Sequence, residues 1–298
     1  MEYLFSLSDK EKDIKNFYKE NGFVVITRVL SLEECQDTLQ EIANIAGVDY
    51  NDSETYDKFV GNRYGILGKK PLVSLQLNKN RWNLNVKQAY QILYGKDRKI
   101  MPCFDRIGWM RPIMLNDAYR IPYKSPGLHL DVSPVAYFDE KNDVRKFLDG
   151  LSYADMGHFL TENNLKHEDM GLQIQGVLSL VDNEEEDGGF HCVPGGHLGI
   201  RKWYDQAKCR LPKGEPSGRY IFDMKYKEDA MLCSYSQRIC CPAGSLILFD
   251  CLLPHGAKPN NSYKNRVIQF LRYIPEDIFT KESLKGRKTA MTRIMKFK

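Results

Sequence analysis

Two hydrophobic periods divide this chain. Near the N-terminus, Ile14, Phe17 and Tyr18 recur at helical spacing behind Ser8-Asp9-Lys10-Glu11, which has the form of a capping box. Asn21-Gly22 predicts the end of that helix, and Phe23 to Ile26 reads as a short β-type run. Ser31-Leu32-Glu33-Glu34 repeats the capping box. Leu32, Cys35, Leu39 and Ile42 then form the apolar stripe of a second helix that should end near Gly47. Residues 50–100 are polar and poorly periodic, with Trp82, Tyr90 and Tyr94 as anchors and a helix expected over Val86 to Tyr94.

From Arg111 the period shortens. Apolar runs broken by Pro and Gly cover 112–116, 127–132, 171–181, 190–193, 239–250 and 265–273. Many short strands with turn signals predict an antiparallel sandwich or barrel. Two inserts interrupt them. Residues 138–170 mix charges with helix formers and carry His158 and His167; residues 201–238 are basic and aromatic, with Trp203, Tyr204, Arg210 and Tyr220. Segments this long in a compact domain often serve as lids or substrate contacts, whereas sparse cations on them are usually solvated. The organisation expected is one domain over 1–298: a helical segment to 110, a core over 111–275, and a basic tail over 276–298.

Bulk properties exclude several classes. A hydrophobic content of 42% is ordinary for a globular chain, and a net charge of +4 is far from that of a dedicated nucleic-acid binder. No apolar stretch is long enough to span a bilayer, and Met1–Phe5 lacks the features of a signal peptide. The eight cysteines include no C-x-x-C pair, which removes a zinc-ribbon reading; without a secretion signal they are expected reduced and buried. The expectation is an intracellular, cytoplasmic protein acting on a small molecule, with no membrane span.

The candidate chemistry lies in Gly127-Leu128-His129-Leu130-Asp131 and in Leu253-Pro254-His255-Gly256. On an extended strand, residues two apart point to one face, so His129 and Asp131 present an imidazole and a carboxylate together. A second imidazole, His255, leaves the apolar run Ser245–Phe249. Two His and one carboxylate make the facial triad suited to non-haem Fe(II), because three adjacent coordination positions stay open. A lone His-x-Asp pair often arises by chance; the β-rich surroundings and a cation eleven residues beyond His255 (266 − 255 = 11) set this one apart.

With these motifs in this order, the chain resembles the phytanoyl-CoA dioxygenase family of Fe(II)/2-oxoglutarate oxygenases, from near Asn16 to about Tyr273. Val193-Pro194-Gly195-Gly196-His197 adds to the likeness, with Gly where relatives usually carry Ser at the fourth position. The resemblance implies a mainly β fold with flanking helices, built on a double-stranded β-helix (jelly-roll, cupin-like) core. It implies Fe(II) on His129, Asp131 and His255, and 2-oxoglutarate as co-substrate with its C5 carboxylate on Arg266, whose planar fork matches a carboxylate. Asn116 and Gln175, with Gln173 on the same face, stand where relatives place polar side chains on 2-oxoglutarate. Ala257 replaces a Ser that relatives often carry near the co-substrate. In related halogenases a small residue replaces the acid, so Asp131 points to hydroxylation. His197 is not a ligand in this family, and Glu184–Gly189 is expected to be a solvated hairpin turn. Two other functions remain open: a binding or sensor module without turnover, and a cupin-type metal-dependent isomerase or hydrolase that would not need Arg266.

Overall fold

Two sheets face one another, and the helices of the N-terminal half cover the outside of the larger. The computed structural model describes residues 2–278 except 63, 68–71, 104, 121–126, 132–133, 139–173 and 212–219, together with scattered positions from 281 to 292. The N-terminal part supplies β1 (Leu4–Phe5), α1 (Glu11–Asn21), β2 (Phe23–Ile26), α2 (Leu32–Ala46), β3 (Ile66–Leu67), α3 (Leu75–Trp82), α4 (Leu84–Tyr94), β4 (Ile100–Pro102) and β5 (Ile107–Met110). The remainder supplies β6 (His129–Leu130), α5 (Pro134–Phe138), β7 (Ile174–Ser179), β8 (Gly189–Cys192), α6 (Gly196–Ala207), β9 (Tyr220–Ile221) and α7 (Lys227–Cys233). It closes with β10 (Gln237–Arg238), β11 (Leu246–Asp250), β12 (His255–Lys258) and β13 (Arg266–Pro275). The larger sheet has the order β1-β2-β11-β7-β13-β5-β3, with β4 also on β13; the smaller has the order β10-β8-β12-β6-β9. This is the expected jelly roll.

Alternation along the strands builds two separate apolar layers. In the larger sheet, Phe23 pairs with Phe249, Phe249 with Gln175, and Gln175 with Arg272; two residues along, Val25 pairs with Ile247, Ile247 with Val177, and Val177 with Phe270. These side chains turn inward, where Phe23, Val25, Val177, Ile247, Phe249 and Ile268 cluster with Phe190 and Cys192 of the smaller sheet. The alternate residues, including Val24, Leu248, Leu271 and Tyr273, turn outward and pack under Ile14, Ile42, Val86, Ala89 and Tyr90 of the helices. A sheet buried on both faces reads as continuous apolar runs, as β2 and β11 do.

The helix α2 begins where its capping box says. The Ser31 hydroxyl accepts from Glu34 N, Glu34 returns a carboxylate to Ser31 N, and Gly47 ends the helix at φ 73°. The start of α1 differs. Asp9 accepts from Ser6 N instead of capping, so α1 starts at Glu11 with no side-chain cap. The division at residue 110 also differs, because β1 to β5 from the N-terminal part pair into the larger sheet. The run 112–116 is not a strand: residues 113–115 form a turn, and Asn116 caps a 3₁₀ turn over Asp117–Tyr119. The run 239–250 splits at Gly244, whose φ of 76° makes the turn into β11.

The insert 138–170, with His158 and His167, lies outside the described residues from 139 on. The described part of the other insert is an ordered layer, not a solvated loop. Fully buried Asp229 of α7 accepts from Trp203 Nε1 and the Tyr220 hydroxyl at 2.8 Å each, and it pairs with Arg210. All eight cysteines are free, and six are buried. Among the described residues no helix is long and apolar enough to cross a membrane.

Candidate active site

Antiparallel pairing of β6 with β12 sets His129 directly opposite His255, so both imidazoles leave the same face of the smaller sheet. Their ring centroids are 4.6 Å apart. Asp131, two residues past His129, returns to that face. One of its oxygens lies 3.2 Å from His129 Nε2 and the other 3.4 Å from His255 Nε2. One donor atom from each of the three falls within 4.8 Å of the other two.

The backbone orients both rings. His255 Nδ1 lies 2.8 Å from the Leu253 carbonyl, and His129 Nδ1 lies 3.3 Å from the Gly127 carbonyl. A carbonyl only accepts, so each ring carries a proton on Nδ1, which leaves Nε2, once free of its own proton, as the atom that would ligate a metal. Burial pushes the Asp131 carboxyl up, but hydrogen bonds and charge from His129 and His255 outweigh it and hold the group well below the usual carboxylate range. The Phe249 and Phe190 rings lie against His255, with centroids at 4.5 and 5.8 Å. Two imidazoles and an ionised carboxylate on one face, backed by aromatic rings, fit a divalent non-haem iron.

Arg266 opens the inner face of β13 and is 4% exposed, with Nη1 3.8 Å from Met110 Sδ. Its space is made by Gly189, which sits at φ 105°; a Cβ there would stand 2.5 Å from Arg266 Nε and 2.8 Å from Asn183 Oδ1. Gly189 pairs with Lys258, three residues along β12 from His255, so the guanidinium stem meets the smaller sheet about 10 Å along the strand from the triad.

The two polar positions fall elsewhere. Asn116 is a cap whose side-chain oxygen accepts from Ala118 N at 3.0 Å. Gln175 faces the interior but accepts from Arg272 Nη2 at 2.5 Å, six residues along β13 from Arg266. Gln173 lies outside the described residues. His197 lies on α6 with Nε2 3.1 Å from the Lys19 carbonyl, tying that helix to the end of α1. Glu184, Glu185 and Glu186 are exposed at the turn before β8, but the turn is not the expected hairpin: β7 and β8 lie in different sheets, and Asp187 is buried.

Two further basic side chains are buried in or behind the interior, and no motif gave either a role. Arg272 is 5% exposed on the same face as Arg266, a fact visible only once the strand is placed. His191, fully buried behind Gly256, has no hydrogen-bond partner on either ring nitrogen among the described residues, and burial depresses it to about 3.

The comparisons agree with this geometry. The family model for phytanoyl-CoA dioxygenase (PhyH) matches residues 155–268. A Dictyostelium discoideum protein named "Putative phytanoyl-CoA dioxygenase" is 30% identical over 290 residues, covering 94% of this chain and 80% of that protein. The chain belongs to the phytanoyl-CoA dioxygenase family. Members of this family depend on Fe(II) and 2-oxoglutarate, which makes the chain a dioxygenase-type enzyme.

Solved structures share the fold of this phytanoyl-CoA dioxygenase relative at low identity. GlcNAc Inducible Gene 2 (GIG2) of Candida albicans matches with a TM-score of 0.63 at 14% identity, covering 92% of this chain and 66% of that one. EctD from S. alaskensis with bound Fe matches at 0.53 and 12% identity, covering 94% and 81%. EctD with 2-oxoglutarate and 5-hydroxyectoine matches at 0.51 and 13% identity, covering 91% and 78%.

Proposed function

We propose that His129, Asp131 and His255 hold Fe(II), that Arg266 takes the C5 carboxylate of 2-oxoglutarate, and that the chain hydroxylates a C–H bond of a small-molecule substrate. The observation that carries this reading is the meeting of three donor atoms within 4.8 Å on the inner face of a jelly roll that also buries Arg266. When bound, the iron couples oxidative decarboxylation of 2-oxoglutarate, giving succinate and CO₂, to oxidation of the substrate. The protein supplies the rest. Backbone carbonyls hold both imidazoles in the ligating tautomer, Asp131 stays ionised, and the Phe190 and Phe249 rings keep water from the space beside His255. A guanidinium at the far end of the interior fixes the acid end of the co-substrate through paired hydrogen bonds. Asn116 is not assigned to the co-substrate, since its oxygen caps a turn; Gln175 belongs with Arg272.

Purified protein with Fe(II), 2-oxoglutarate and O₂ should release succinate slowly without added substrate, and His129→Ala or Asp131→Ala should abolish it. An iron-loaded wild type as inert as those variants overturns the reading. Arg266→Ala should raise the 2-oxoglutarate requirement sharply; indifference to it would favour a cupin-type isomerase or hydrolase.

A further inference from the structure

β13 carries two buried arginines on its inner face, and the proposed function uses one. Arg272 is 5% exposed and Gln175, its register partner on β7, is 9% exposed. Arg272 Nη2 donates to Gln175 Oε1 at 2.5 Å. A guanidinium offers only donors, so the amide must turn its oxygen to Arg272 and its NH₂ group away. That leaves two donor groups, Arg272 Nη1 and Gln175 Nε2, buried with no hydrogen-bond partner among the described residues. Among the described residues no carboxylate contacts Arg272, and buried Asp105, whose charge reaches it, pairs with Arg106 instead. A buried guanidinium without a counter-ion is costly, so one kept in that state points to an anion that arrives from outside.

The position says which anion. Gln175 is in register with Phe249, whose ring lies 4.5 Å from that of His255, and Arg272 is the next strand over. Two strand spacings, about 10 Å, therefore separate the Phe249 backbone from that of Arg272. Arg266 lies six residues away along β13, about 20 Å at strand rise, so one 2-oxoglutarate cannot be shared between the two arginines. We propose that Arg272 and Gln175 form a second anion site in the barrel interior, which binds the carboxylate of the substrate and holds its remote carbon toward the triad. Two unpartnered donor groups on neighbouring side chains can serve the two oxygens of a carboxylate. The substrate class is then a small carboxylic acid. The inference rests on the proposed function only in taking the interior beside His255 as the reaction pocket.

The test uses the full chain without metal, so it stands even if the iron assignment fails. Hexanoate and hexanol serve as probes in ligand-observed NMR titrations. Hexanoate should bind at least about tenfold tighter than hexanol, the worth of one charge-assisted contact. Arg272→Met should remove that advantage, and Gln175→Leu should reduce it about threefold. Equal binding of the two probes, or hexanoate binding by Arg272→Met at the wild-type level, overturns the site. If Arg272→Met does not fold, Gln175→Leu decides, and unchanged hexanoate affinity refutes the proposal. In parallel, 2-oxoglutarate is titrated into the Zn(II)-loaded chain. Arg266→Met should lose it and Arg272→Met should keep it; the reverse pattern overturns both this site and the assignment of Arg266.

Discussion

Gly189→Ala tests the Arg266 pocket more sharply than removal of the arginine itself. A side chain at φ 105° costs about 1–2 kcal/mol in backbone strain. The added methyl would also stand 2.5 Å from Arg266 Nε and 2.8 Å from Asn183 Oδ1, too close for any real contact, so the guanidinium has to move. Losing a paired, charge-assisted contact to a carboxylate costs about 1.5–3 kcal/mol, which is about 10- to 150-fold in affinity. Gly188→Ala supplies the control. Gly188 sits at φ 72°, and the atoms nearest its Cβ would be backbone, Asn260 N and Lys258 O at 2.7 Å, not the guanidinium. Both variants should lower Tm by several degrees, and Gly189→Ala alone should weaken 2-oxoglutarate at least about tenfold in calorimetric titration of the Zn(II)-loaded chain. A folded Gly189→Ala that binds 2-oxoglutarate as tightly as Gly188→Ala does would refute the placement of the co-substrate on Arg266.

Two further outcomes follow from buried ionisable groups. His191 is depressed to about 3 by burial against an ordinary value near 6.5, so the unfolded chain binds the extra proton first as pH falls. Its contribution to stability is complete above about pH 6.5 and is lost progressively toward pH 3, at about 1.4 kcal/mol per pH unit. In metal-free protein, His191→Leu should flatten the fall of Tm with pH in that window; an unchanged slope would count against it. Asp229→Ala should strand the Arg210 charge and the Trp203 and Tyr220 donors, costing about 3–5 kcal/mol by denaturant unfolding, and a loss under 1 kcal/mol would mean the network is not structural.

How much of this the sequence disclosed depends on whether the signal was local. The capping box of α2 needs only Ser31 and Glu34 in one turn, and both hydrogen bonds form. The like-looking Ser8–Glu11 run failed because Asp9 and Ser8 are taken up in a tight turn with Ser6. No stripe announced α3, since the face it buries is largely polar: Gln76, Asn78, Asn80 and Arg81. Asn80 donates to Gln269 and Arg81 to the Asp105 carbonyl, partners that no short window contains. Gly108 lies within β5, in close contact with Ile268, and masks a strand that composition placed outside the core. His129, Asp131 and His255 stood out because two of them share a strand period and the third follows an apolar run. Arg272 did not, because its partner Gln175 is 97 residues away and meets it only through sheet order.

The ten residues of β13 form the spine against which β4, β5 and β7 all lie. Arg266 follows Met110, the last residue of β5, by 156 positions (266 − 110 = 156). On a ribosome adding about 5–20 residues per second, the N-terminal helices and strands therefore wait about 8–30 s for the surface they cover. During that interval the nascent chain displays unsatisfied apolar faces and open strand edges, the features that a chaperone shields.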